Sequence, residues 1–155
     1  KVLVLFILTN AVYLLMLLVT IPKTMEFSEG MKLLDMLPTG YDRNYVNKLF
    51  GTLGTHGRQT YLTNQIPVDM IYPFLFAISY SLVLGYFLKK LAKLKPPFIY
   101  LCLLPVIAGI SDYMENIGII MMLKSYPDLP EVATITSNIF TLIKSTIKLP
   151  IKFIY

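Results

Sequence analysis

The sequence predicts an all-α integral membrane protein, a four-helix transmembrane bundle with an amphipathic surface helix in its first outer loop. Three observations predict it. Mean hydropathy is +0.64, far above that of a soluble domain of this size. The hydrophobic residues, 55% of the chain, are blocked into long runs, without the regular polar face that a soluble helix needs. Lys89, Lys90, Lys93 and Lys95 cluster in the short connection between the second and third of those runs. At 155 residues the chain reads as one membrane domain over 1–155.

The first run, Val2 to Ile21, holds no formal charge and is closed by Pro22 and Lys23. At a rise of ~1.5 Å per residue it is long enough for a ~30 Å hydrocarbon core. A cleaved signal peptide would have a shorter apolar region ending in a small-x-small site, which Val19-Thr20-Ile21-Pro22-Lys23 does not supply. The chain opens at Lys1 without a methionine, so a few natural residues are expected before it. The second run covers about 66–88, the third about 98–123 and the fourth about 131–149. Pro73 and Pro105 are expected to kink their helices where neighbours re-satisfy the freed backbone groups. The fourth run is the most polar, with Lys144 and Lys148 inside it.

Orientation follows from Lys89-Lys90-Leu91-Ala92-Lys93-Leu94-Lys95, a basic connection without an acid, which belongs on the cytoplasmic side. Lys1, Lys148 and Lys152 agree, and both termini are then cytoplasmic. The lysine asymmetry and compact layout favour a bacterial inner membrane. The net charge of +5 is accounted for by anchoring to anionic lipid, which excludes a need for nucleic acid as a partner.

Residues 22–65 form a first outer loop too long to lack structure. Asp42 is placed to cap a helix from Arg43 to about Leu53, with Tyr45, Leu49 and Phe50 on its apolar face and Gly51 and Gly54 weakening its end. A second short helix, about 58–64, is expected to run into the second span across Pro67.

Cys102 is the one cysteine, so disulfides, thiol redox pairs and cysteine-based metal sites are not expected. Neither a phosphate-binding glycine loop nor a zinc-protease motif occurs, and no cofactor is called for. The chemistry-bearing residues lie inside the spans, where an ionisable side chain is costly and usually faces the bundle interior. In the third run Pro105, Gly109, Asp112 and Asn116 share one helical face, with Glu115 beside Asp112. The second run adds Asp69, with Tyr72, Phe76 and Tyr80 continuing its face. The fourth adds Thr134, Ser137, Asn138, Thr141 and Lys144. From the outer ends of the runs, Asp69 falls roughly 5 Å deep, Asn138 roughly 10 Å, Glu115 roughly 12 Å, Asp112 roughly 16 Å and Lys144 roughly 20 Å.

Those depths describe a polar pocket in the outer half of the membrane. The expected role is binding of a lipid or other apolar small molecule, with Asp112, Glu115 and Asp69 as acid and base groups. Asn116, Asn138, Lys144 and Tyr72 would contact the ligand, and His56 and Arg58 of the outer loop would meet its head group. Three alternatives stay open. Asp69 and Asp112 sharing a proton would suit an intramembrane aspartyl hydrolase. A small proton-coupled transporter of this length would have to oligomerise. An accessory subunit of a larger membrane complex would use Asp112 and Lys144 as a buried ion pair, with Ser, Thr and Asn as interhelical glue. No ligand spacing among Asp69, Asp112, Glu115 and His56 is diagnostic of a metal.

Overall fold

The computed structural model describes residues 1–152, with side chains described as far as Ile147, so the Lys148 and Lys152 side chains used in the topology argument lie outside the described residues. The described residues are 82% helical and contain no strand. Five helices carry it: α1 (Val2–Met25), α2 (Arg43–Thr60), α3 (Ile66–Lys90), α4 (Leu104–Ser125) and α5 (Glu131–Lys152). Among the described residues three helical stretches are long and apolar enough to cross a membrane: α1, the continuous stretch Arg43–Lys90, and Phe98–Ser125. Helix α5 is as long as α4, but its stripe of Thr134, Ser137, Asn138, Thr141 and Lys144 lowers its hydropathy.

Helix α1 runs past Pro22 to Met25, where the sequence alone suggests a stop. The reason is a π-turn over Met16–Thr20, in which the Ile21 amide reaches back five residues to the Met16 carbonyl. This wider turn makes room for the proline ring that an ordinary turn would press against the carbonyl four residues before it. A second π-turn, Tyr61–Gln65, stands in the same relation to Pro67 and joins α2 to α3. The two π-turns touch, and the Thr20 hydroxyl donates to the Gln65 side-chain carbonyl.

Helix α2 starts as expected. The Asp42 carboxylate accepts from the Tyr45 amide at 2.7 Å, satisfying one of the first-turn donors. Val46, Leu49, Phe50, Leu53 and Gly57 form its buried face. The helix breaks at Gly54, whose φ of 60° and ψ of −171° are open to glycine but strained for other residues. The third run begins as a 3-10 turn, Phe98–Leu103, before it becomes α4 at Leu104. Ser81 of α3 donates to the Cys102 carbonyl in that turn at 2.7 Å.

The long helices pack in series, α1 on α3, α3 on α4 and α4 on α5. Between α1 and α3 the contact is aromatic. Tyr13 meets Tyr72 at 5.6 Å between ring centres, Tyr72 meets Phe76 at 5.8 Å, Phe76 meets Tyr80 at 4.4 Å, and Tyr80 meets Phe6 at 5.5 Å. The α3–α4 and α4–α5 contacts depend on small residues that let backbones approach. A Cβ on Gly109 would lie 2.9 Å from the Pro73 carbonyl oxygen, and one on Gly118 would lie 2.6 Å from Ser137 Cβ. Gly118→Ala should therefore force α5 away from α4 and cost about 1–3 kcal/mol, measured as a lower unfolding midpoint in detergent micelles. An unchanged midpoint would mean that the two helices are not held at this spacing.

Candidate functional site

Helices α3, α4 and α5 bring Asp69, Asp112, Glu115, Asn116 and Lys144 into one buried cluster, with relative exposures of 3%, 2%, 0%, 0% and 6%. The register of α4 accounts for most of it. Asp112 and Asn116 are one turn apart on one face, and Glu115 is three residues from Asp112, turned toward α5. Lys144 crosses from α5 and donates to Asp112 Oδ1 at 2.9 Å and to Glu115 Oε2. Asp69 is near enough to add its field at the Lys144 ammonium. Asn116 donates from Nδ2 to the Asp69 backbone carbonyl at 3.0 Å, tying α4 to the first turn of α3.

Glu115 is held at three points. Its Oε2 takes the ammonium. Its Oε1 lies 2.5 Å from the Thr141 hydroxyl, which also stands 3.0 Å from the Ser137 carbonyl. A hydroxyl has one proton, and a charged acceptor makes the stronger bond, so the carboxylate takes it. The Ser137 hydroxyl donates to the Glu115 backbone carbonyl at 3.0 Å. Its proton being committed there, the Tyr41 phenol 2.7 Å away must be the donor in their contact.

Tyr41 belongs to a cap, residues 26–42, that lies over this end of the helices. The Tyr41 amide donates to Asn138 Oδ1 at 2.9 Å, and Leu33 and Leu34 of the cap are fully buried. At the cap's other anchor, Asp35 accepts from the Tyr61 hydroxyl at 2.7 Å and from Gln65 Nε2 at 2.9 Å. Gly40, at φ +81°, lies so close to the Asn138 side chain that a Cβ would collide with it, which leaves glycine as the residue that fits.

The candidate residues thus fall into two groups. Asp69, Asp112, Glu115, Asn116 and Lys144 meet, Tyr72 is buried on the α3 face one turn from Asp69, and Asn138 ties the cap to α5. His56 and Arg58 do not join them. His56 is exposed on α2. Arg58 donates to the Phe50 carbonyl at 2.7 Å and stacks over the Tyr126 ring at 4.3 Å, so its charge is spent on the junction between α2 and the end of α4. Sequence reasoning missed Tyr41 and Asp35. A carboxylate set among the apolar residues of Met31-Lys32-Leu33-Leu34-Asp35-Met36-Leu37 was the available signal for the second.

No group of three or more histidine, cysteine, aspartate or glutamate side chains among the described residues is arranged to hold a metal ion. Comparison with protein-family models, with curated proteins and with solved structures finds no match.

Two outcomes are expected from these contacts. Lys144→Met should destabilise the fold by about 3–5 kcal/mol, because it strands buried carboxylates. Adding Glu115→Gln to Lys144→Met should recover part of that loss, and unfolding midpoints of the two single variants and the double variant measure the coupling. The second outcome concerns the cap. Burial pushes the Tyr41 phenol up to about 12, with the Ser137 hydrogen bond pulling partly the other way. An unfolded phenol ionises near pH ~10. The stability contributed by neutral, buried Tyr41 is therefore intact below about pH 10 and is lost as pH rises through about 12. Tyr41→Phe should abolish that alkaline loss, seen by comparing the unfolding midpoints of both proteins at about pH 9 and about pH 11.

Proposed function

We propose that the chain is a four-span membrane protein, both termini cytoplasmic, whose buried polar cluster binds the polar end of a lipid or other apolar small molecule, in a bacterial inner membrane by preference. Helix α5 is the fourth span in this reading, its Lys144 carried at membrane depth by the carboxylates of α4. The observation that carries the proposal is the convergence of Asp69, Asp112, Glu115 and Lys144 from three helices on one buried point. Ionisable groups at membrane depth are expensive, and they usually serve a ligand, a proton or a partner. Two carboxyl groups sharing one ammonium supply a proton donor and a proton acceptor side by side, which suits acid/base chemistry on a bound head group. The cap then governs access, since Tyr41 and Asn138 close over the cluster.

A second reading, in which the cluster only fastens α5 to α4, is favoured by one observation: both carboxylate oxygens and the backbone carbonyl of Glu115 accept bonds from α5. One experiment separates the two. Wild type, Asp112→Asn and Glu115→Gln are purified in parallel, co-purifying lipids are identified by mass spectrometry, and unfolding midpoints are recorded. A ligand site predicts a specific lipid or apolar metabolite retained by wild type and lost from variants that still fold. If wild type retains nothing specific and both variants merely melt earlier, the cluster is a fastening and the ligand proposal fails.

A further inference from the structure

We propose that the cleft between α1 and α3, at the end remote from the cap, is a binding site for an anionic glycerophospholipid. The inference rests on the membrane reading above but not on the buried polar cluster. The cleft measures about 590 Å³ and is walled by apolar side chains, chiefly Phe6 of α1 and Val83, Tyr86 and Phe87 of α3, with Lys1 as its one charged lining residue. That volume is within the range of small-molecule sites, which pair apolar walls with a few polar groups that fix orientation. Its walls suit an acyl chain.

The charge around it selects the head group. Residues 1–25 and 70–111 contain no aspartate or glutamate, while Lys89, Lys90, Lys93 and Lys95 follow directly on the cleft. Lys90 is exposed and stands seven residues beyond Val83, three beyond Phe87 and four beyond Tyr86, so it shares their helical face. Side chains on a helix lean toward its N-terminus, which tilts Lys90 back toward the cleft. Lys89 falls about a third of a turn off that face, and the Lys93 ammonium is held over the Phe98 ring at 5.2 Å. Lys1 and Lys90 therefore flank an apolar groove with two ammonium groups, complementary to a phosphate that sits at the head of an acyl chain. The exposed Tyr86 is the kind of side chain that marks the head-group level of a bilayer.

The test uses the detergent-purified chain, equilibrated with equimolar phosphatidylglycerol and phosphatidylcholine, with bound lipids counted by native mass spectrometry. Wild type is expected to carry phosphatidylglycerol in excess, and Lys1→Gln and Lys90→Gln should each lower the ratio of the two lipids about fivefold, the weight of one lysine near an anionic surface. Lys89→Gln, on the neighbouring face, should leave the ratio unchanged. Val83→Trp, which fills the groove, should reduce adducts of both lipids. A wild-type ratio near one overturns the proposal, as does an equal effect of Lys89→Gln and Lys90→Gln. Because Lys90 is exposed, its variant tests the site even where Val83→Trp does not fold. A chain that leaves vesicles without detergent overturns both the membrane reading and this site, whereas a chain that needs detergent but shows a ratio near one overturns this site alone.

Discussion

The arrangement of α4 and α5 depends on a lysine ammonium that is buried and has to be matched. Lys144 is reached by Asp112 and Glu115 together, and an ammonium in an apolar interior is stable only when its protons are taken by acceptors of opposite charge. That requirement fixes how α5 may slide or turn on α4. The carboxylates lie three residues apart on α4, so the ammonium can serve both from one position along the helix. The close approach of Gly118 to Ser137 sits one turn from Glu115 and sets the backbone spacing at which the ammonium arrives. A bulkier residue there would hold the charges apart. Small residues and charged residues are thus parts of a single constraint.

The cap translates this constraint to the rest of the chain. Tyr41 reaches Ser137, Ser137 reaches the backbone of Glu115, and Asn138 takes the Tyr41 amide. On the opposite side Asp35 collects the Tyr61 hydroxyl and the Gln65 amide, and Gln65 accepts from Thr20. Residues 26–42 thereby connect α5, at one end of the helix series, with α1 at the other. These bonds are polar and partly buried, so they favour one geometry over its neighbours more than they add raw stability.

What could be read from the sequence was what is locally encoded. The three apolar stretches show in the hydropathy of residues close in sequence, the start of α2 shows in Asp42, and its break shows in Gly54. The meeting of Asp112, Glu115 and Asn116 follows from helical spacing, and Lys144 was the matching charge on a neighbouring run. The continuation of α1 past Pro22 was not legible, because it depends on a π-turn that no residue type announces. The cap was not legible either, since the Tyr41–Asn138 bond joins residues 97 apart and nothing in a local pattern encodes such a pair. Arg58 was drawn toward the cluster by its charge alone, whereas an aromatic ring at Tyr126 offered a nearer partner.

The π-turn at Tyr61–Gln65 has an angular consequence. An α-helix advances about 100° per residue, so an unbroken helix continued from the buried face at Gly57 would carry Asp69, Tyr72, Phe76 and Ser79 about a quarter turn away from it. A π-turn inserts one residue into the winding and takes up that amount. Phase, rather than length, is what this turn adjusts: the stretch before it and the stretch after it each keep their own side toward the protein interior. A single-residue insertion or deletion here would leave the hydrophobic length of α3 unaltered yet rotate Asp69 toward a different neighbour.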